Sequence, residues 1–284
     1  MKAYTNEEIA AYYDTTQVHY ERGWDLRHSL AMHYGYWDEK ATTFRASLRR
    51  MNEALATFGE LTQMDNILDA GCGIGGTTIF LADTLGCSVT GISLSQQQVE
   101  TARSHAVTKN LQTLTRFEQA DYRATPFPDE TFDVVWALES AVYDPEKVDF
   151  FKEAYRLLRP GGRLVMGEYI KSSQPMKERN RRIFHRWLDA WAIHDLSTLE
   201  QLTSVAKQTG FEVLKTENIT SAIRKSSWRM FYGSLFLTVL SAGYRLFHPK
   251  VSYFADNHHK GLRYQYPALR RNLWQYHFIC LRKS

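Results

Sequence analysis

The stretch LDAGCGIGG at residues 68–76 combines one carboxylate with four glycines. Glycine has no side chain and adopts backbone conformations that other residues avoid, so such a loop lets a ligand approach the backbone closely. Asp69 stands just ahead of the loop, where a carboxylate repels a phosphate and attracts a cation. The G-x-G-x-G-G pattern of Gly71, Gly73 and Gly75 therefore indicates a site for a cationic ligand, such as an ammonium group near a sulfonium. An ordinary tight turn is the alternative.

Short apolar runs alternate with longer amphipathic runs around this loop. Strands are predicted at 66–70, 88–93, 115–121, 131–138, 163–170, 211–219 and 274–283, and helices at 76–86, 95–110 and 144–162. Such a series predicts an α/β fold, with a parallel sheet covered by helices on both faces and a ligand crevice at the carboxyl ends of the strands. Ser95 is the expected N-cap of its helix. The last strand is expected to pair antiparallel at or near the sheet edge.

Two segments fall outside this series. Residues 1–60 look helical, and residues 221–272 separate the last two predicted strands with a detour longer than most loops. The chain is therefore divided into an N-terminal helical segment (1–60), a core (61–220), an inserted acceptor-binding cap (221–272) and the last core strand (273–284). The apolar run 228–244 is expected to line a cavity for a hydrophobic acceptor or to pack as a cap helix.

Composition and charge exclude several classes of protein. The 284 residues are 44% hydrophobic and carry a net charge of +4 from 35 basic and 31 acidic residues, which is too mild and mixed to indicate nucleic acid. The isolated cysteines Cys72, Cys87 and Cys280 indicate neither a metal site nor a disulfide framework, and a reduced, cytoplasmic setting is expected. The longest apolar stretch, 230–247, is short and interrupted for a membrane-spanning helix.

Three sequence motifs resemble one enzyme family. ILDAGCGIGG resembles the first motif of class I S-adenosylmethionine-dependent methyltransferases, and ADYRATPFPDETFDVVWALES and LLRPGGRLVMGE resemble its later motifs in the expected order. The resemblance covers residues 60–220. It implies a Rossmann-like fold with a seven-stranded, mostly parallel sheet, and S-adenosylmethionine as the cofactor, converted to S-adenosylhomocysteine. A dinucleotide-binding oxidoreductase and a non-catalytic nucleotide-binding module are the alternatives from other classes.

The second predicted strand and the residues after it resemble one branch of this family. VTGISLSQQQ lacks the usual ribose-binding acid and resembles the G-I-T-L-S-x-x-Q pattern of sterol, tocopherol and cyclopropane-fatty-acid methyltransferases. In that branch a hydroxyl and an amide contact the ribose, which implies Ser93 and Gln98 here. The resemblance also implies that Asp121 accepts from the adenine amino group and that Leu138 lines the methionine arm. Tyr122 is expected to pack on the adenine face. A solvated Gln98 and a surface Tyr122 are the alternatives.

The segment SLAMHYGYWD (29–38) resembles the M-H-x-G stretch of tocopherol methyltransferases and the aromatic segment of sterol methyltransferases. In the family this segment closes over the cofactor, which implies a catalytic role for Tyr34 and a cofactor contact for Tyr36, with His33 as a further candidate. Aromatic faces attract a sulfonium, and closure excludes water from the transfer. A packed aromatic cluster that joins a helix to the core is the alternative.

The stretch ALESAVYDPEK supplies two more catalytic candidates. Glu139 resembles the acid of the E-S-x-x-H and E-A-x-x-H motifs of sterol and tocopherol enzymes, where it would stabilise a developing carbocation or take a proton. Tyr143 replaces the histidine of those motifs, so its role as a weak base, a hydrogen-bond donor or a cation–π partner stays open. For Glu139, an N-cap or a structural acid in a loop is the alternative.

The combined prediction is a methyltransferase that C-methylates a hydrophobic isoprenoid, prenyl diphosphate, sterol-like or lipid-like acceptor. O- or N-methylation of a small aromatic or amine product is the alternative. Contact with a membrane surface and formation of a homo-oligomer are left open. The basic residues that could hold a diphosphate or touch anionic lipid, or simply face solvent, are Arg224, Lys225, Arg229, Arg245, Lys250 and the run 177–186.

Overall fold

The computed structural model describes residues 4–23, 26–144, 146–247 and 253–284, and the side chains of residues 16–25, 27 and 236–260 fall outside the description. The helices are α1 (Asn6–Gly23), α2 (Leu26–Ser29), α3 (Phe44–Phe58), α4 (Gly76–Leu85), α5 (Gln96–Thr108), α6 (Val148–Leu157), α7 (Glu178–Ala190), α8 (Leu199–Gln208), α9 (Thr220–Phe247) and α10 (Tyr253–Arg270). The strands are β1 (Asn66–Ala70), β2 (Ser88–Ser93), β3 (Thr115–Gln119), β4 (Phe132–Leu138), β5 (Leu158–Lys171), β6 (Phe211–Asn218) and β7 (Trp274–Lys283). A 3-10 turn covers Ala141–Tyr143.

The strands form one seven-stranded sheet in the order β3-β2-β1-β4-β5-β7-β6. The first five strands of this order pair in parallel, and β7 pairs antiparallel with both β5 and β6. Helices cover both faces, and buried apolar residues pack against each face. The predicted fold class is confirmed. The antiparallel last strand is also confirmed, one position in from the edge.

The register of the sheet brings three loops together. Ala70 of β1 lies beside Ile92 of β2, and Leu138 of β4 lies beside Gly167 of β5. Because these strands are parallel, the glycine loop, Ser93 and Glu139 all start from the same edge of the sheet. The order of the strands reverses at β1, which lies between β2 and β4, and such a reversal is where parallel sheets open a crevice.

Local sequence signals explain where the flanking helices begin and end. Ser95 begins α5, and its hydroxyl accepts the amide hydrogen of Gln98 at 3.1 Å, as predicted. Gly86 ends α4. Thr198 and Gln201 form a reciprocal capping box at the start of α8. These caps satisfy backbone groups that the helices leave unpaired at their ends.

The start of β5 differs from the prediction. The sequence predicts a helix over 144–162 that Pro160 and Gly161 close, but α6 ends at Leu157 and β5 begins at Leu158. Phe132 pairs with Leu158 and Val134 with Arg163, so the residues between them leave the regular ladder. Pro160 lies within this irregular part, where its missing amide hydrogen costs no ladder hydrogen bond. The prediction was wrong because Pro and Gly also mark irregular strand starts.

The segments outside the sheet are helical. α1, α2 and α3 occupy the N-terminal segment, and α9 and α10 fill most of the segment between β6 and β7. α10 packs against α7 and α9 and also contacts α1. Helices from the N-terminal segment and from the segment between β6 and β7 therefore pack against one another. The proposed division into four domains stays a prediction.

Candidate active site

A crevice opens at the carboxyl ends of β1, β2 and β4, where the three loops meet. The predicted site residues that line it are His33, Asp69, Gly71, Gly73, Ser93, Gln98, Tyr122, Leu138, Glu139 and Tyr143. The predicted site residues outside its lining are Tyr34, Tyr36, Gly75 and Asp121. The structure thus brings most of the predicted residues together at the crevice. It places the other four outside the crevice lining.

Asp69 is the acid at the base of the glycine loop. Its carboxylate is buried and accepts a hydrogen bond from the hydroxyl of Thr78 at 2.7 Å. Burial raises the pKa of the Asp69 carboxyl to about 7, although the hydrogen bonds from Thr78 lower it. A cation in the crevice would favour the ionised form, so the charge of Asp69 depends on what the crevice holds.

Two glycines of the loop are required by close contacts. Gly71 has a φ of +103°, and a Cβ there would overlap the side chain of Ser140. A Cβ at Gly76 would overlap the carbonyl oxygen of Leu30. Gly75 has a different role from the predicted cofactor contact, since it precedes α4 and packs near Ala102 and Phe117. It positions the loop and lies outside the crevice lining.

Ser93 and Gln98 form a buried polar pair at the end of β2. The Ser93 hydroxyl donates to the side-chain oxygen of Gln98 at 2.7 Å and accepts from the amide of Ser95 at 3.2 Å. Gln98 is only 3% exposed, so the alternative of a solvated helix residue is wrong. Both side chains line the crevice, where a hydroxyl and an amide suit a diol.

The adenine side of the site differs in part from the prediction. Asp121 forms a salt bridge with Arg123 at 2.7 Å and accepts from the Asn6 side chain of α1 at 2.8 Å, so its carboxylate ties α1 to the core. Tyr122 lines the crevice instead. Its hydroxyl donates to the Ser140 carbonyl at 3.2 Å, and its ring meets Phe150 edge-on. Tyr122 is half-buried rather than a free surface residue.

Glu139 sits in a strained turn directly after β4. Its φ is +56°, in the left-handed region that non-glycine residues rarely adopt, and its amide donates to the Gly167 carbonyl at 2.8 Å. Strain of this kind persists only where the surrounding structure enforces it, and it is common at functional sites. The turn places Glu139 in the lining of the crevice.

Three donors converge on the Glu139 carboxyl. The Tyr34 amide donates at 2.7 Å, the Tyr276 hydroxyl donates at 2.8 Å, and the Tyr169 hydroxyl donates to the second oxygen. Burial raises the pKa of Glu139 to about 8, and the hydrogen bonds from Tyr169, Tyr34 and Tyr276 lower it. The site thus holds a carboxyl that changes charge near neutral pH, a property typical of catalytic acids and bases.

The rings of Tyr34 and Tyr36 face away from the crevice. The Tyr34 ring packs against Tyr169, Trp274 and Tyr276 at centroid distances of 5.8, 6.1 and 6.0 Å. Tyr36 stacks on Phe278 at 6.1 Å. Both rings therefore belong to an aromatic cluster that joins this segment to the core, which was the alternative prediction. Tyr34 contributes to the site through its backbone amide.

His33 lines the crevice as a neutral residue. Its Nδ1 lies 2.8 Å from the Tyr34 carbonyl and its Nε2 lies 3.3 Å from the Asn52 amide nitrogen. These partners place the hydrogen on Nδ1 and leave Nε2 as an acceptor. Burial lowers the pKa of His33 to about 4. Asn52 in turn accepts from Thr77 of α4 at 3.0 Å, so His33 anchors its segment beside the glycine loop.

Sequence reasoning missed two sets of residues. Ile9, Ala10 and Tyr13 of α1 line the crevice, and the Tyr13 hydroxyl donates to the Tyr143 hydroxyl at 2.8 Å. Tyr169 and Tyr276 hold Glu139 from β5 and β7. The sequence gives no signal for either set, because their positions depend on where α1 docks and on the register of β7.

The described residues fit a methyl donor with a cationic amino-acid tail. The glycine loop permits close approach, Asp69 would hold the ammonium group, and Ser93 with Gln98 would hold the ribose. The Ser140 hydroxyl oxygen is buried at the crevice and has no hydrogen-bond partner among the described residues, so it is available to a ligand. No lysine or arginine stands among the described lining residues, whereas Asp69 and Glu139 are both acids. This crevice favours positive charge.

Comparisons with known proteins agree with this geometry. Residues 67–162 match the family described as a methyltransferase domain. The 27-O-demethylrifamycin SV methyltransferase of Amycolatopsis mediterranei is 34% identical over 200 residues, which cover 69% of this chain and 71% of that protein. The sterol 24-C-methyltransferase ERG6 of Saccharomyces cerevisiae is 28% identical over 225 residues, which cover 78% of this chain and 57% of that protein.

Among solved structures, the cyclopropane synthase MmaA2 of Mycobacterium tuberculosis superposes with a TM-score of 0.83. It covers 99% of both chains at 15% identity, a level that establishes a shared fold. Its fold agrees with the sheet order and the surrounding helices described above.

Proposed function

Because this chain belongs to the class I S-adenosylmethionine-dependent methyltransferases, in the branch that includes the sterol and tocopherol enzymes, we propose that it C-methylates an uncharged hydrophobic acceptor of the isoprenoid, sterol or lipid type. The observation that carries the proposal is Glu139, a buried carboxyl at the crevice held by three donors. It gives the site one group that can balance positive charge on an acceptor and remove a proton from it.

The chain's residues bind and align the reactants. S-adenosylmethionine, when bound, supplies an electrophilic methyl group. Asp69, Ser93 and Gln98 would hold it at the glycine loop, and Leu138 lines the same crevice next to Glu139 in the sequence. The residues of α1 cover the crevice and exclude water from it. Alignment and water exclusion supply much of the rate in a displacement that needs no covalent enzyme intermediate.

Glu139 would handle the charge and proton of the acceptor. Addition of a methyl group to a carbon–carbon double bond leaves a positive charge on the neighbouring carbon. Loss of a proton from an adjacent carbon restores a double bond, and the Glu139 carboxylate would take that proton. Tyr169 and Tyr276 position the carboxyl and, as donors, favour its charged form. Tyr143 also lines the crevice, where it would contact the acceptor.

An uncharged acceptor is supported better than a prenyl diphosphate. The described lining of the crevice contains no lysine or arginine, and burial lowers the pKa of its histidine, His33, to about 4. Of the predicted phosphate-binding residues, Arg224, Lys225 and Arg229 are exposed on α9. The side chains of Arg245 and Lys250 fall outside the description. The name of one relative, a sterol 24-C-methyltransferase, supports a neutral lipid-like acceptor.

O-methylation is the second candidate. It is supported by the 34% identity to an enzyme named for 27-O-demethylrifamycin SV. In this case Glu139 would take the proton of a hydroxyl group as the oxygen is methylated. Glu139 would therefore act as the base in either reaction. Identification of the methylated atom distinguishes C-methylation from O-methylation.

The decisive experiment uses a labelled methyl donor with an extract of the source cell. Mass spectrometry identifies the labelled product, and NMR of the methyl carbon distinguishes attachment to carbon from attachment to oxygen. Glu139→Gln should lower turnover by about 10²- to 10⁴-fold, the usual contribution of a general base, and should leave affinity for S-adenosylhomocysteine unchanged. Glu217→Gln, an exposed carboxyl on β6, is the matched control. Unchanged turnover in Glu139→Gln would remove this carboxyl from the chemistry.

A further inference from the structure

Helix α9 carries an exposed apolar stripe. Trp228, Tyr232 and Leu235 are 50%, 51% and 43% exposed. Their spacing of four and three residues puts them on one face of the helix. Half of the large apolar side chains that the structure describes as exposed lie in this stripe; the others, Met64, Val107 and Leu214, are scattered over separate elements. Scattered apolar residues are normal on a protein surface, but a contiguous group marks an interaction site.

The stripe lies in a cationic, acid-free part of the chain. Arg224 precedes Trp228 by four residues and is exposed on the same face. Lys225 and Arg229 are exposed on the same helix, where they lie over the rings of Trp37 and Phe44 at 5.2 and 4.6 Å. The sequence contains no Asp or Glu between Glu217 and Asp256. The surface that α9 presents therefore combines apolar area with exposed positive charge.

We propose that this face of α9, formed by Arg224, Trp228, Tyr232 and Leu235, docks on an anionic lipid surface. Trp and Tyr have an apolar ring and a polar edge, so they suit the level of lipid headgroups. Basic residues beside them are attracted to anionic headgroups. The contact is peripheral. Within the ranges that the structure describes, no helix combines the length and apolar character needed to cross a membrane.

Charge complementarity selects the lipid surface over a second copy of this chain. Two copies that meet through this face would bring like charges together, because the sequence between Glu217 and Asp256 offers only cations. An anionic bilayer supplies the missing negative charge along the whole stripe. The inference does not depend on the methyl acceptor, since docking requires neither cofactor nor turnover.

The test is co-sedimentation of the full chain with lipid vesicles. We expect binding to vesicles of phosphatidylcholine with phosphatidylglycerol, weaker binding to phosphatidylcholine alone, and weaker binding at high salt. The combined variant Trp228→Ser, Tyr232→Ser and Leu235→Ser should bind at least about tenfold more weakly, because it removes three side chains that insert at the interface. Arg224→Gln should reduce the preference for the anionic vesicles.

A matched variant controls for loss of exposed apolar area in general. Met64→Ser, Val107→Ser and Leu214→Ser removes three exposed apolar side chains elsewhere and should bind vesicles like the wild type. Affinity for S-adenosylhomocysteine shows that each variant is folded. Equal vesicle binding by the α9 variant and the wild type would overturn the proposal. The proposal would also be overturned if the wild type did not bind vesicles but dimerised in solution through the α9 stripe.

Discussion

At the scale of single residues, Asp69 has a charge that depends on its ligand. Its pKa is raised to about 7 by burial, and a cationic tail beside it needs the ionised form. Affinity for S-adenosylhomocysteine should therefore be constant above pH 7 and should fall by about tenfold for each pH unit below it. Calorimetric titration across neutral pH measures this slope.

Asp69→Asn is the control for that measurement. The amide cannot ionise, so the variant should bind weakly and with no such pH dependence. A wild-type slope that persists in Asp69→Asn would assign the pH dependence to another group. His33 would not explain it, because the pKa of this buried imidazole is lowered to about 4.

Residues that follow a strand were predictable, and residues that depend on distant packing were not. Asp69, Ser93 and Glu139 each lie at a strand end that the sequence marks, so local pattern alone places them at the crevice. Tyr34 and Tyr36 belong to a segment whose path is set by contacts with β7 and α9. The sequence predicted the location of this segment, but the directions of its rings depend on Trp274 and Phe278, which are more than 200 residues away.

At the scale of secondary structure elements, α1 lies over the crevice and outside the sheet. Hydrogen bonds join its described side chains to the core: Asn6 to Asp121, Tyr13 to Tyr143, and Asp14 to Ser95 at 2.6 Å. Because α1 is not part of the sheet, it can open without breaking any strand pairing. A ligand in the crevice adds contacts to Ile9 and Tyr13, which line it.

S-adenosylhomocysteine should therefore slow hydrogen exchange in α1. Protection at residues 6–15 should rise on binding, because the ligand stabilises the closed arrangement relative to the open one. The packed helix α3 serves as the internal control and should change little. Equal exchange in α1 with and without the ligand would mean that this helix does not close the site.

The strands of the sheet could be predicted from the sequence, but the register in which they pair could not. Each predicted strand overlaps an observed one, because buried parallel strands are short apolar runs that the sequence displays directly. The pairing of Tyr169 with Tyr276 across β5 and β7 has no such signal. It is this pairing that delivers both hydroxyls to Glu139.

At the scale of the whole molecule, three buried carboxyls link stability to pH. Burial raises the pKa of Asp69 to about 7, of Glu139 to about 8 and of Glu168 to about 7. Each group binds a proton more tightly in the folded chain than in the unfolded chain, so each favours the folded state at low pH. That contribution to the free energy of unfolding is lost as pH rises through the folded pKa. Each group costs at most about 1.4 kcal/mol per pH unit.

The ligand-free protein should therefore lose stability as pH rises from about 5 to about 8. Thermal unfolding followed across this range measures the effect. Glu139→Gln should flatten the slope, because an amide has no proton to lose, and S-adenosylhomocysteine should stabilise the protein most at the upper end of the range. An increase in melting temperature over the same range would show that other groups dominate.

The position of β7 between β5 and β6 sets the order in which the site can be assembled during synthesis. The glycine loop, Ser93 and Glu139 leave the ribosome early, but Tyr276 follows only after both helices of the 220–270 region. Until then β5 and β6 have no strand between them, and the Glu139 carboxyl lacks one of its two hydroxyl donors. The loops that line the crevice are therefore synthesised well before the strand that completes the surroundings of Glu139.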